Sequence, residues 1–332
     1  MSGVLNPLHL VGGYGATGQQ LARLLRLHLP ELPLVIAGRD LNKAQALAAE
    51  VGAKAQVLDL KAIDLQFGDE TTSGLVILAK DEWLHAMCWA QNRGVPYLSL
   101  SSAAFELGID LVHAHARTND APVVIAGQWF AGAVTMAVLD LCEWFEHVDS
   151  VVAGITVDRN AAAGGAASVA DFERAARSSK ATLARIGGAY LWQQEAESLK
   201  SYQSVNGLLI RGKGSVSIDV ATIGARTTAR DIHVLETWGD SSHYLETGIP
   251  ADEVAIEVVG MTEQRSAVAR RTMILPHEPA SMTAVSLLAT LERVFGSQGV
   301  GHGVWTPDQL QPSGAFMRRI QELGVRVKTS LS

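Results

Sequence analysis

The sequence predicts an α/β protein: an N-terminal doubly wound parallel sheet, followed by an α+β unit whose sheet is mainly antiparallel and open. Three observations predict it. Short apolar runs alternate with helical patterns through the first half, the first run leads into a glycine-rich turn, and after about residue 150 the apolar pattern changes to a two-residue alternation. The 332 residues suit two domains. We expect boundaries at 1–150 and 151–299, with 300–332 as a candidate return to the first domain.

The strand candidates of the first half are Leu8–Val11, Leu34–Ala37, Ala55–Leu58, Leu75–Ala79, Tyr97–Leu100 and Val123–Ala126. Helical patterns lie between them at 16–28, 41–51, 82–93 and 103–117, with a shorter piece near 61–66. Parallel strands need crossover connections of this length, and six strands make a dinucleotide-binding (Rossmann) sheet. In the second half Val216, Ile218 and Val220 alternate with polar residues, as do Val254, Ile256 and Val258, and Ile232–Thr237 is a third strand candidate. Helices are expected at 168–186, where Ser168 and Asp171 resemble a capping box, at 281–295, and at 312–323, which ends at Gly324.

A hydrophobic content of 48% against 18% charged residues excludes disorder and coiled coil as overall descriptions. The net charge of −7 argues against general nucleic-acid binding. Two cysteines give no disulfide framework, so a cytoplasmic location is expected. The uncharged stretch between Asp120 and Asp140 is divided by Pro122, Gly127 and Gly132, which reads as strand, loop and helix rather than a membrane span. Residues 158–230 carry 10 basic against 6 acidic side chains, a candidate seat for an anionic ligand.

Gly13, Gly15 and Gly18 fit G-x-G-x-x-G between a strand and a helix. The first permits the turn, the second lets a pyrophosphate approach the backbone, and the third lets helix and strand pack closely. The loop Gly13, Tyr14, Gly15, Ala16, Thr17 and Gly18 is therefore the candidate phosphate cradle. At the end of the second strand, Gly38, Arg39 and Asp40 are followed by Lys43. Arginine there accommodates the 2′-phosphate of NADP, so NADP(H) is the expected cofactor, with Asp40 also fitting a helix N-cap.

Other strand ends supply Ala79 and Lys80, Ser101, and Gln128 and Trp129. Lys80 is a candidate proton donor, Ala79, Lys80 and Ser101 candidate cofactor contacts, and Trp129 and Tyr97 candidate substrate contacts. In the second unit Arg226 suits a substrate carboxylate, and His243 or Tyr244 a general acid. No tyrosine has a lysine four residues later and Glu-Lys-Pro is absent, which sets aside the short-chain and the glucose-fructose oxidoreductase signatures. No cysteine–histidine cluster is seen and His113 and His115 diverge on a helix, so no metal is expected.

The chain resembles the saccharopine dehydrogenase-like NADP-binding reductases. The resemblance rests on Gly12–Gly18, Ala37-Gly38-Arg39-Asp40, Arg93-Gly94-Val95-Pro96-Tyr97 and Ala126-Gly127-Gln128-Trp129-Phe130-Ala131-Gly132, with weaker echoes at 164–168 and 303–308. The chain departs from that pattern at Lys80-Asp81, at Ser99 and at Ala131. The resemblance implies an NADP-binding reductase. With the residue readings above, the expectation is an NADPH-dependent oxidoreductase acting on a C=N or C=O bond of a small, amino-acid-derived substrate, a homodimer supported by the antiparallel sheet, and no nucleic-acid or membrane partner. A non-catalytic NADP(H)-responsive binding or regulatory protein is the alternative, and a nucleotide-free scaffold a third.

Overall fold

The structure, a computed structural model, describes residues 6–65, 67, 71–100, 103–117, 121–161, 170, 173, 174, 177, 181–278, 280–296 and 299–332. Its first sheet contains β1 (Leu8–Val11), β2 (Leu34–Gly38), β3 (Lys54–Val57), β4 (Gly74–Ile77), β5 (Tyr97–Ser99), β6 (Pro122–Ile125) and the late strand β15 (Gly303–Trp305). Their order is β15-β6-β5-β4-β1-β2-β3, and every pairing is parallel. The apolar runs are continuous because both faces are covered. On one face α1 (Ala16–His28) and α2 (Leu41–Val51) bury Leu21, Leu25, Leu47 and Val51 against Leu8, Leu10 and Ile36. On the other, α3 (His85–Asn92) and α4 (Leu107–His115) cover Leu75, Ile77, Val123 and Ile125.

A short 3-10 turn at Trp129–Gly132 and helix α5 (Ala133–Cys142) lead into the second sheet. It contains β7 (His147–Asp158), β8 (Thr182–Ile186), β9 (Ala189–Gln193), β10 (Lys200–Gln203), β11 (Leu209–Gly214), β12 (Asp231–Gly239), β13 (Ala251–Met261), β14 (Ser266–Pro276) and β16 (Arg326–Leu331). The main path is β10-β11-β12-β7-β13-β14-β16, antiparallel except for the parallel pair of β12 with β7. Helices α5, α6 (Asp219–Arg226) and α8 (Ser313–Glu322) cover one face, where Val151, Ala153, Ile155, Ile232, Val254 and Ile256 meet Val134, Val138, Ile223 and Phe316. Helix α7 (Met282–Val294) returns to the first sheet and packs Leu287, Leu288 and Leu291 with the α1 core.

Three expectations are corrected. Val216, Ile218 and Val220 do not form a strand: Asp219–Arg226 is helix α6. Val220 and Ile223 lie three residues apart and share one core, whereas Ile218 enters another, so helical spacing governs the segment. The helix expected over 168–186 does not reach its end, because Thr182–Ile186 is β8. Gly187 (φ 58°) and Gly188 (φ 91°) form a two-residue link that pairs β8 with β9, and this glycine pair is the hairpin signal in the sequence. Ser168 and Asp171 lie outside the described residues. At 61–65 the chain makes turns rather than the expected short helix, and Gln66 lies outside the described residues.

Candidate active site

The carboxyl ends of the first sheet's strands open onto a cleft of about 640 Å³ whose far wall comes from the second sheet. At one end lies the glycine loop. A Cβ on Gly13 would stand 2.7 Å from the Leu10 carbonyl oxygen, and one on Gly18 would stand 2.4 Å from that of Gly13. Helix and strand therefore touch through backbone, which is why these positions need glycine. Gly15 caps α1 without a side-chain hydrogen bond, and the first turn holds no acid. The Gly13 and Gly15 N–H groups go to the Leu10 and Gly12 carbonyls, so the first-turn N–H groups of α1, with the helix dipole behind them, are those left for a ligand in the cleft. A bare backbone cradle of this kind fits a dinucleotide pyrophosphate.

The Tyr14 ring packs on Gly38, where a Cβ would stand 2.5 Å from the ring, and its hydroxyl accepts the Asp40 N–H at 3.1 Å. This contact brings the loop and the end of β2 together. Arg39 lines the cleft and has no hydrogen bond or ion pair among the described residues. Asp40 turns away to cap α2, accepting the Lys43 N–H, and Lys43 pairs with Asp40 at 3.7 Å, so neither lines the cleft. The positive charge that joins Arg39 there is Lys61, after β3, with Asp59 and Leu60. Sequence reasoning passed over this second cation because it treated 61–66 as a helix start.

Tyr14, Gly15, Ala16, Thr17, Gly18, Gly38, Arg39, Ala79, Lys80 and Trp129 line the cleft, with Gly13 buried beneath the loop; Ser101 lies outside the described residues. Lys80 is closely held, its Nζ 3.2 Å from Asp110 Oδ2 and 3.6 Å from Glu106 Oε2. Arg174 also binds Glu106, at 3.0 Å. Burial would raise the Glu106 carboxyl, but the Arg174 hydrogen bond, the Lys80 charge and the Ala103 N–H outweigh it and hold it below its ordinary value. The basic 158–230 segment is thus compensated at this end of the cleft.

Tyr97 is placed in the core beneath the cleft, 1% exposed, with its hydroxyl donating to Asp81 Oδ2 at 3.3 Å. Burial, then the Asp81 charge, raises its phenol well above the ordinary value. Arg226 ends α6 and faces a separate depression beside Asp308. His243 and Tyr244 sit on a short helix, Ser242–Thr247, away from the cleft lining; the Ser242 and His243 N–H groups donate to Glu253.

The second sheet instead contributes Ser215, Val216, Ser217 and Glu236. Glu236 is 8% exposed and 3.2 Å from Lys213; burial raises its carboxyl, opposed in part by that lysine. Facing them is the 129–132 turn, where Phe130 (φ 52°) and Ala131 (φ 53°) take the left-handed conformation before Gly132 (φ 105°). Each non-glycine residue there costs about 1–2 kcal/mol, so surrounding contacts must hold the turn. The Trp129 N–H donates to Asp219 Oδ2 at 2.8 Å, and its indole N–H donates to Ser215 Oγ at 2.6 Å. Ser215 Oγ also accepts the Ser217 N–H at 3.1 Å, which leaves the Ser215 hydroxyl its proton to donate. Gln128, 4% exposed, binds Asp308 through Nε2 at 3.3 Å and leaves Oε1 buried without a protein partner.

Among the described residues no helix is long and apolar enough to cross a membrane, and no cluster of His, Cys, Asp and Glu is gathered as a metal site. No family model and no curated protein matches the sequence. Solved structures match its fold, a parallel Rossmann-like sheet followed by a mixed, mostly antiparallel one. Apo saccharopine dehydrogenase (L-Glu forming) from Saccharomyces cerevisiae superposes with a TM-score of 0.69 at 11% identity, covering 98% of this chain and 100% of that one. A myo-inositol dehydrogenase from Corynebacterium glutamicum gives a TM-score of 0.50 at 13% identity, with 98% of each chain covered.

Proposed function

We propose that the protein is an NADP(H)-dependent oxidoreductase that reduces a C=N or C=O bond of a small, amino-acid-derived substrate. One observation carries this reading: a single cleft joins an uncapped glycine-loop helix to a wall of polar side chains from a second sheet. The loop and α1 N-terminus hold the pyrophosphate, while Arg39 and Lys61 take the 2′-phosphate. When bound, the reduced nicotinamide supplies the hydride. Trp129 and Phe130 exclude water from the substrate, Ser215 donates a hydrogen bond to it, and Glu236 and Lys80 are the cleft's exchangeable proton carriers. This reading gives catalysis to Lys80 and Glu236 in place of His243 and Tyr244. The first sheet with β15 forms the cofactor domain, and the second sheet serves substrate binding and homodimer formation in the cytoplasm.

The test is NADPH oxidation with a panel of keto acids, cyclic imines and amine–aldehyde mixtures, alongside NADPH and NADH titrations. Turnover with at least one substrate and tighter binding of NADPH are expected. Tight NADPH binding with no turnover across the panel would favour the NADP(H)-responsive regulator, and no binding of either nucleotide would overturn both.

A further inference from the structure

We propose that Asp219, which is fully buried and does not itself line the cleft, is the positioning residue that fixes Trp129 and Ser215 across the substrate end of the cleft. The proposal rests on the oxidoreductase reading for its meaning but on contacts alone for its geometry. Asp219 opens α6 at 0% exposure. Its Oδ2 accepts the Trp129 N–H at 2.8 Å and its Oδ1 accepts the Thr135 hydroxyl at 2.6 Å. Thr135 in turn lies 3.1 Å from the Thr222 hydroxyl, one turn along α6. One carboxylate thereby ties together the left-handed turn, α5 and α6. Through the indole bond to Ser215 the tie reaches the loop after β11.

The chemistry of the pocket is unusual for a merely structural acid. Its hydrogen-bond partners, the Thr135 hydroxyl and the Trp129 N–H, are both neutral. Burying a carboxyl without a counter-charge is costly, and burial pushes Asp219 up to about 6 despite these hydrogen bonds. An apolar residue or an amide would pack here at less cost. What the carboxylate provides, and an amide provides only without charge, is a fork that holds a strained turn with one oxygen and a hydroxyl with the other. Protonation below about 6 removes the charge that strengthens the bond from the Trp129 N–H, while the Thr135 hydroxyl can turn to accept the added proton. Trp129 placement is therefore expected to loosen in acid and to be firm at neutral pH.

Other titratable groups near the same elements must be separated from it. Glu236 lines the cleft beside Lys213, and Asp308 binds Gln128; burial raises both carboxyls. Arg226 ends α6, and Asp140 on α5 is taken by Arg271 at 2.6 Å. Asp219→Asn separates them, because an asparagine can accept from Trp129 through its oxygen and donate to the Thr135 hydroxyl through its nitrogen while carrying no titrating proton.

The experiment follows tryptophan emission from pH 5 to 8 in the full-length protein, using Trp129→Phe to isolate the Trp129 contribution. Wild type is expected to show an inflection near 6 that is absent from Trp129→Phe and from Asp219→Asn. No inflection in wild type, or one unchanged in Asp219→Asn, overturns the proposal. NADPH affinity is measured alongside: within about twofold of wild type in Asp219→Asn is the expected result, and a loss of tenfold or more would place Asp219 in the fold of the cofactor site instead. Once a substrate is found, Asp219→Ala is expected to raise its KM about tenfold or more, with Asp219→Asn restoring most of it at pH 7.5. If Asp219→Ala does not fold, the asparagine emission profile still decides. Absence of turnover would bear on the oxidoreductase reading, and the emission profile would stand apart from it.

Discussion

The cleft has two walls, and they are held by different means. The glycine-loop wall is backbone: Gly13 and Gly18 bring strand and helix into contact within a stretch of six residues. The second-sheet wall is a network of side chains, in which Trp129 and Thr135 reach Ser215 and Asp219 across 84 to 90 residues of sequence. A backbone requirement leaves its mark at the position where it acts, since only glycine meets it. A side-chain network leaves none, because serine, threonine and aspartate occur at caps, turns and surfaces for many reasons. The comparison predicts that damage to the second wall will be larger and less local than damage to the first.

Arg271 provides the largest test. On β14, 5% exposed, it binds Asp140 Oδ2 at 2.6 Å and donates to the Ala137 carbonyl at 3.0 Å, anchoring α5 to the sheet beneath it. Arg271→Met leaves Asp140 without its cation, and removing one partner of a buried pair costs about 3–5 kcal/mol. Urea denaturation should show this loss. If the variant still folds, NADPH binding at 15 °C is expected to survive, because none of the glycine-loop contacts passes through α5. A loss of NADPH affinity in a folded variant would show that the walls are not independent.

The parallel sheet was legible because burial on both faces left unbroken apolar runs, and β1, β2 and α1 fall within one residue of the expected bounds. The glycine loop was legible for the reason just given. The 215–220 segment was misread because alternation of Val216, Ile218 and Val220 is compatible both with a strand and with a loop entering a helix between two cores. Only the packing of Ile223 beside Val220 distinguishes them. Asp219 falls at one of the alternating polar positions of the expected strand, and Glu236 inside the candidate Ile232–Thr237, so neither stands out in the sequence. Tyr97, by contrast, was drawn toward the site by its place at a strand end, whereas a three-residue strand between two neighbours buries its first residue.

A test of the first wall comes next in size. Arg39 is exposed and not engaged by any described residue, so its removal should not destabilise the fold. Arg39→Ala is expected to weaken NADPH binding about tenfold to a hundredfold, which corresponds to roughly 1.4–2.8 kcal/mol, while leaving NADH affinity within about twofold. Lys61→Ala is expected to give a smaller loss in the same direction, because ammonium is a point charge without the bidentate fork. Fluorescence titration of both nucleotides reads both variants. Equal NADH and NADPH affinities in the wild type would remove the basis for assigning either cation to a 2′-phosphate.

The smallest effect is expected at the far edge of the second sheet, where His277 follows β14 and binds Asp252 Oδ1 at 2.8 Å. Burial alone would lower the imidazole, but the Asp252 hydrogen bond and charge, with Asp158 adding to them, outweigh it and raise His277 above the ordinary value of 6.5. A raised histidine binds its proton more tightly in the folded state. Its stabilisation is thus complete below pH 6.5 and is lost as pH rises through the raised folded value. Wild type should therefore lose on the order of 1 kcal/mol or less across that window, the usual scale for a partly exposed ion pair. His277→Gln should be less stable than wild type at pH 5.5 and equal to it at pH 9. Asp252 also accepts the Met282 N–H at 2.8 Å, so the same carboxylate links this histidine to α7, the helix that returns to the first sheet. If the stability difference persists at pH 9, His277 holds that link by packing rather than charge, and the second sheet depends less on its ion pairs than Arg271 suggests.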